Sequence, residues 1–203
     1  MLERGDNMKK ELQDLKKLLV IVDMINGFTK EGSMADPYIQ HTVPEQLQLI
    51  RQFQKEQEGI AFIRDCHTKG CREFLRFPEH CIDGTKESQI IDEFLPYIEE
   101  AMIYRKNSTS TMYAPNFLND IEKMKSLKEI IVTGCCTDIC VLNLAIPLQC
   151  YFDQLDRDVQ ITVPKDAVET FDAPTHHREE YNEKAFALME QAGIQLVKRK
   201  GER

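Results

Sequence analysis

At 203 residues, with 42% hydrophobic and 30% charged side chains, the chain has the length and balance of one globular domain with a full core. Its formal net charge of -8, with scattered rather than striped basic residues, argues against nucleic acid or an anionic membrane as a partner. Its apolar runs fall short of the ~20 residues that span a bilayer, and the N-terminus lacks the apolar core of a secretory signal, so its seven cysteines are expected as reduced thiols in a cytoplasmic protein.

Residues 1–14 form a polar, lysine-rich extension, and Met8, Leu12 and Leu15 at helical spacing predict a short surface helix there. A single domain is expected over 15–203. The run LLVIVDM predicts a buried strand from Lys17, closed by Asp23. A carboxylate at the C-terminal end of a parallel strand lies on the edge where open α/β sheets carry their sites, although a turn role before Asn26 and Gly27 suits the same residue. Phe28 follows in a loop over that edge. After a polar loop at 31–44, Leu47, Ile50 and Phe53 predict an amphipathic helix over 45–57, stopped by Gly59. The next strand, IAFIR, again ends in a carboxylate, Asp65.

The stretch DCHTKGCREFLRFPEHC spans residues 65–81. On an extended chain Asp65 and His67 point to the same face, while Glu73 and His80 lie farther along a loop that can fold back. Two imidazoles and two carboxylates make a mixed nitrogen and oxygen set suited to zinc, manganese or iron(II) with open positions. A zinc site from Cys66, Cys71 and Cys81 is disfavoured because the paired two-residue spacing is missing; a solvated loop without metal is the remaining reading. A helix is expected from Glu87, and a strand over 101–106 ends in Lys106. That lysine is either a solvated strand terminus or a third ionisable group on the shared edge. The Ser- and Thr-rich segment 107–115 predicts a covering loop, and a short helix is expected to end near Met124.

The central stretch is IIVTGCCTDICV, residues 130–141. It predicts a strand over 129–133, a tight exit at Gly134, and a helix with Thr137 or Asp138 as N-cap. Cys140 then falls in the first helical turn, where free N–H groups and the dipole favour thiolate. The plainer reading makes the cysteines small buried hydrophobes, Cys135 and Cys136 above all. The following helix, VLNLAIPLQCYF, is apolar nearly all round, with Pro147 kinking or ending it. A strand at 159–163, a long loop, a helix over 179–191 and a sixth strand at 194–198 complete the chain. His176 and His177 in the late loop are assigned no chemistry. Alternating strands and helices imply a three-layer α/β/α domain on a mostly parallel six-stranded sheet. The glycine-rich dinucleotide fingerprint and the P-loop pattern are absent from the sequence.

In this order and spacing, VDMINGF, RDCH, the E-FLRFP-EHC segment, HCIDGTK, YRK and VTGCCTDICV resemble the isochorismatase-like cysteine hydrolase superfamily, and within it the nicotinamidases, over about residues 17–198. Each motif alone is weak; together they are specific. The resemblance implies an isochorismatase-like, Rossmann-like fold with Asp23, Lys106 and Cys140 as a catalytic triad. It further implies Asp65, His67, Glu73 and His80 as ligands to a divalent metal, zinc before manganese or iron, and a cis peptide between Cys135 and Cys136. The backbone N–H groups of Cys136 and Cys140 would form the oxyanion hole, and Phe28 and Phe77 the walls around a substrate ring. The implied reaction converts nicotinamide to nicotinate and ammonia through a thioester, in a homo-oligomer acting on a small-molecule amide. Two alternatives stand beside it: a cysteine amidase acting on a ureido or small aliphatic amide, and a noncatalytic thiol or binding protein on the same fold. The segments NSTSTMYAPNF and 149–159 depart from the nicotinamidase pattern and bear on substrate more than on chemistry. Cys140 itself separates the chain from isochorismatase proper, whose members resemble this pattern without the nucleophilic cysteine.

Overall fold

Residues 10–197 are described by the structure, a computed structural model. The apolar β-branched runs become strands β1 (Lys17–Val22), β2 (Gly59–Asp65), β3 (Met102–Lys106), β4 (Glu129–Cys135) and β5 (Gln160–Pro164). Two shorter strands follow, β6 (Val168–Glu169) and β7 (Gln195–Val197). The sheet runs β3-β2-β1-β4-β5-β7, with β6 pairing β4 beyond the end of β5. Every strand pairing among the described residues is parallel. The expected six strands form the continuous sheet and β6 is added beside β4; at two residues it is too short to carry a period-two pattern and forms because Gly134 and Cys135 lie opposite it.

Helices α1 (Asn26–Thr29), α2 (Val43–Glu56), α3 (Phe117–Lys123), α4 (Leu142–Gln154) and α5 (Arg178–Gln191) cover the sheet. Alternation along β1 divides the core: Leu18, Val20 and Val22 pack with residues of α3, α4 and α5, while Leu19 and Ile21 pack with Ile50 and Phe53 of α2. Buried on both faces, β1 is apolar without interruption from Leu18 to Val22, as the centre of a parallel sheet requires. The three-layer α/β/α architecture follows.

Three expectations change. The described part of the N-terminal extension holds one 3-10 turn, Leu12–Asp14, and residues 1–9, including Met8, lie outside the described residues. No α-helix forms from Glu87. The carbonyls of Glu87 and Gln89 accept from Gly27 and Asn26, Ile90 bridges Ile25, and only a 3-10 helix at Asp92–Tyr97 follows, with Pro96 inside it. Pro147 does not end α4. Proline takes the bond away from the carbonyl four residues earlier, and here that carbonyl, Asn143 O, accepts from Ser110 Oγ at 2.8 Å.

Candidate active site

Parallel register brings the C-terminal ends of β1, β2, β3 and β4 to one edge. Asp65 stands opposite Lys106, and Val22 lies between Ile63 and Gly134. Gly134 is required there: its φ is +109°, and a Cβ would sit 2.0 Å from Val22 O. Asp23, immediately after β1, takes a left-handed φ of 51°. Its backbone is held by an N–H bond to Ile63 O at 3.1 Å and by bonds into Asp23 O from Ile25 N and Cys135 Sγ.

Lys106 Nζ is the centre of the arrangement. It lies 2.8 Å from Asp23 Oδ2, 2.5 Å from Asp65 Oδ1 and 3.6 Å from Cys140 Sγ, with all four side chains buried. The Asp23 contact is an ion pair by distance, but its carboxylate oxygens lack a well-aligned hydrogen bond among the described residues. Burial pushes the Asp23 carboxyl up to about 7, with Lys106 opposing and the Asp65 charge adding to the rise. Burial acts on Asp65 in the same sense, yet Lys106 and His67 outweigh it and hold that carboxyl below its usual range. Burial also works to discharge Lys106, and Asp23 and Asp65 overcome it, keeping the ammonium charged. The two carboxylates thus differ although one cation serves both.

Cys140 does not sit as the sequence suggests. Thr137 and Asp138 make no N-capping bond; Thr137 Oγ1 is buried without a partner among the described residues, and Asp138 is engaged elsewhere. Residues Thr137–Val141 form a π-helical turn, closed by a bond from Val141 N–H to Cys136 O at 3.1 Å, and α4 starts only after it. Burial holds the Cys140 thiol well above its ordinary value, Lys106 opposing and the carboxylates reinforcing. Burial thus works against the thiolate that a helix N-terminus would favour. The peptide between Cys135 and Cys136 is cis.

Next to these groups, Asp65, His67 and His80 bring one ligand atom each within 4.8 Å of one another, all buried. Asp65 Oδ2 lies 3.5 Å from His67 Nε2 and 3.9 Å from His80 Nε2, so the carboxylate that meets Lys106 through one oxygen meets both imidazoles through the other. The remaining ring nitrogens are spoken for: His80 Nδ1 lies 2.7 Å from Pro78 O and His67 Nδ1 3.2 Å from Asn107 Oδ1. Such partners fix ring orientation in metal sites. His67 Nε2 is buried and makes no hydrogen bond among the described residues, its contact with Asp65 Oδ2 being too long for one, which leaves its lone pair available to a ligand bond. The donor set fits a divalent metal. Glu73 is buried nearby but stands outside this tight cluster and accepts from Thr109 Oγ1 at 3.2 Å.

Phe28, Phe77, Met34 and Ile139 line a shallow cleft with His80 and Cys136, of only about 20 Å³. The Phe28 ring is 5.5 Å from that of His80 and Phe77 is 6.4 Å from it. Three participants escaped the sequence reading. Phe74 packs edge-on against both imidazoles, at 5.3 Å and 5.5 Å. Asn107 orients His67 from the loop after β3 and also accepts from Thr68 N. His176, assigned no chemistry from sequence, contacts Asp138. Only the position of Asn107 directly after Lys106 offered a signal.

Known proteins resemble this chain along nearly its whole length. The isochorismatase domain matches residues 17–200. Nicotinamidase 1 of Arabidopsis thaliana is 32% identical over 204 residues, covering 90% of this chain and 82% of that protein. Among solved structures, N-carbamoylsarcosine amidase from Thermoplasma acidophilum is 25% identical with a TM-score of 0.72, over 93% of this chain and 99% of that one. Pyrazinamidase of Pyrococcus horikoshii, solved in complex with zinc, is 24% identical with a TM-score of 0.73, over 91% and 99%. A match running through nearly the whole domain, with a relative this similar in sequence, means that the chain belongs to the isochorismatase family.

Proposed function

We propose that this isochorismatase-family amide hydrolase acts on nicotinamide, with Cys140 as nucleophile and Asp23 as the proton carrier. The observation that carries the reading is the single buried ammonium, Lys106, that holds both Asp23 and the Cys140 thiol, with the Asp23 carboxyl raised to about 7. A carboxyl raised that far, close to a thiol, is matched to proton transfer near neutrality. The Arabidopsis relative is a nicotinamidase, and Phe28 and Phe77 stand beside His80, where they would flank a planar ring.

As Cys140 Sγ adds to the carboxamide carbon, its proton passes to Asp23, and Lys106 balances the charge of the pair. The oxyanion is held by the backbone N–H groups of Cys136 and Cys140. Asp23 then delivers its proton to the amide nitrogen, the C–N bond breaks, and ammonia leaves a thioester. Water gives a proton to Asp23 as it attacks that thioester; the C–S bond breaks, the acid departs and the thiol regains its proton. Asp65, His67 and His80, with Glu73 alongside, would hold a divalent metal, zinc first. When bound, such an ion supplies a Lewis-acidic anchor for a ring nitrogen of the substrate. A ureido amide is the second reading, favoured by the likeness to N-carbamoylsarcosine amidase.

Ammonia release from nicotinamide by purified, zinc-supplemented protein is the test, with Cys140→Ala, chelator-treated protein and a ureido amide alongside. Release lost in Cys140→Ala and reduced by chelation is expected. Release from the ureido amide alone would overturn the substrate, and full activity in Cys140→Ala the nucleophile.

A further inference from the structure

Asp138 lies two residues before Cys140, inside the π-helical turn. Its carboxylate caps nothing in that turn. Instead Oδ1 accepts from Thr170 Oγ1 at 2.6 Å, and Oδ2 lies 2.8 Å from His176 Nε2. The His176 ring is clamped between two aromatic rings, stacked on Phe171 with centroids 3.9 Å apart and on Tyr181 at 3.7 Å. Its Nδ1 is 3.1 Å from Phe171 O. With both faces covered and both nitrogens opposite oxygen, the ring has no room to swing without losing a partner.

The segment that carries His176 is itself tied down. Thr170 follows β6, which pairs with β4, and Gly134 N–H donates to Ala167 O at 2.9 Å. Arg178, at the start of α5, donates through Nε to Thr170 O at 2.9 Å and pairs with Asp36. The other charged groups packed around this segment have partners away from the imidazole. Asp172 accepts from Arg178 N, and Lys184 lies over the outer Tyr181 ring at 4.5 Å.

A π-turn is a rare local structure, and this one lacks side-chain capping among the described residues, so its shape must be imposed from outside. Simple packing calls for an apolar contact; here a largely buried polar couple, each side chain 12% exposed, is placed two residues from the thiol. We infer that His176, acting through Asp138, is a positioning residue that holds the nucleophile turn so that Cys140 Sγ faces Asp23 and Lys106. The inference rests on Cys140 being the nucleophile, and its test includes a reading that needs no substrate.

Three variants are compared with the wild type for kcat and KM in ammonia release, for alkylation of Cys140 by iodoacetamide followed on the Cys140 peptide by mass spectrometry, and for melting temperature. H176F keeps the aromatic stack and removes the bond. H176Q restores a donor. D138N keeps the shape but leaves only one acceptor for two donors, and tests the same link without disturbing the stack. The expected result for H176F is a fall in kcat of about tenfold with KM little changed, and a parallel slowing of Cys140 alkylation, since small misplacement of a reacting group is costly. H176Q recovers most of both, and H176F adds no further loss in a D138N background. His177→Ala behaves as wild type. Unchanged kcat and alkylation in both H176F and D138N overturn the inference, as do losses that simply track melting temperature and add in the double variant. Should nicotinamide not be turned over, the alkylation series decides alone. Should Cys140→Ala stay active, the failure belongs to the nucleophile assignment.

Discussion

Lys106 illustrates how one residue sets the chemistry of its neighbours. It is a buried cation between two buried carboxylates and a thiol, so its removal leaves charges facing one another without compensation. Lys106→Met should abolish turnover and cost about 3–5 kcal/mol in urea denaturation, the range for breaking a buried pair by deleting one partner. Asp23 carries the opposite sign of linkage. Its carboxyl titrates at 3.8 when exposed and is raised to about 7 in the fold. Between those values the folded chain keeps a proton that the unfolded chain releases, so this group's contribution to stability is full below the lower value and is lost as pH rises through the upper one. Asp23→Asn removes that slope. In chelated protein the variant should melt above the wild type at about pH 8, with the gap closing toward about pH 4; a gap that widens on acidification would contradict the raised carboxyl. A buried carboxyl that destabilises the fold where it is charged is the cost that the proposed base at Asp23 would carry.

At the scale of elements, the junction between β4 and α4 is the decisive piece. β4 approaches β1 so closely at Gly134 that the Cβ of any other residue would overlap Val22 O. Gly134→Ala should therefore yield little soluble protein at ordinary growth temperature, and any folded fraction should melt far below the wild type, with steric overlap and a positive φ acting together. The π-turn that follows was not legible from local sequence. Thr137 and Asp138 have the right chemistry for caps, but Asp138 is drawn off by Thr170 and His176, which arrive from more than thirty residues downstream. The missing helix after Glu87 has a similar cause, since the backbone there is committed to the loop at Ile25–Gly27. Pro147 shows the converse: a residue that should stop a helix is accommodated because a hydroxyl from another loop takes the freed carbonyl.

For the whole molecule, the sheet edge links stability to metal. An ion held by Asp65, His67 and His80 joins β2 to the loop that returns through His80, so binding should raise the melting temperature as well as affect turnover. At a free zinc concentration of about one hundred times the dissociation constant the gain is about 2.7 kcal/mol. Zinc should raise the melting temperature of the wild type and not that of a His67→Ala, His80→Ala double variant; equal shifts in both would disprove the ligand set. By itself the sequence determined the alternation of strands and helices, the parallel sheet, and the placement of Asp23, Asp65 and Lys106 at strand ends, because apolar period and chain connectivity are local properties that dictate which edge those residues share. The tertiary structure alone decided that one ammonium serves both carboxylates, that Cys140 lies in a buried π-turn, that Glu73 stands outside the tight cluster, and that Asn107 meets His67 and His176 meets Asp138. Those outcomes depend on distances and burial between segments far apart in the chain, and neither is written in the spacing of residues along it.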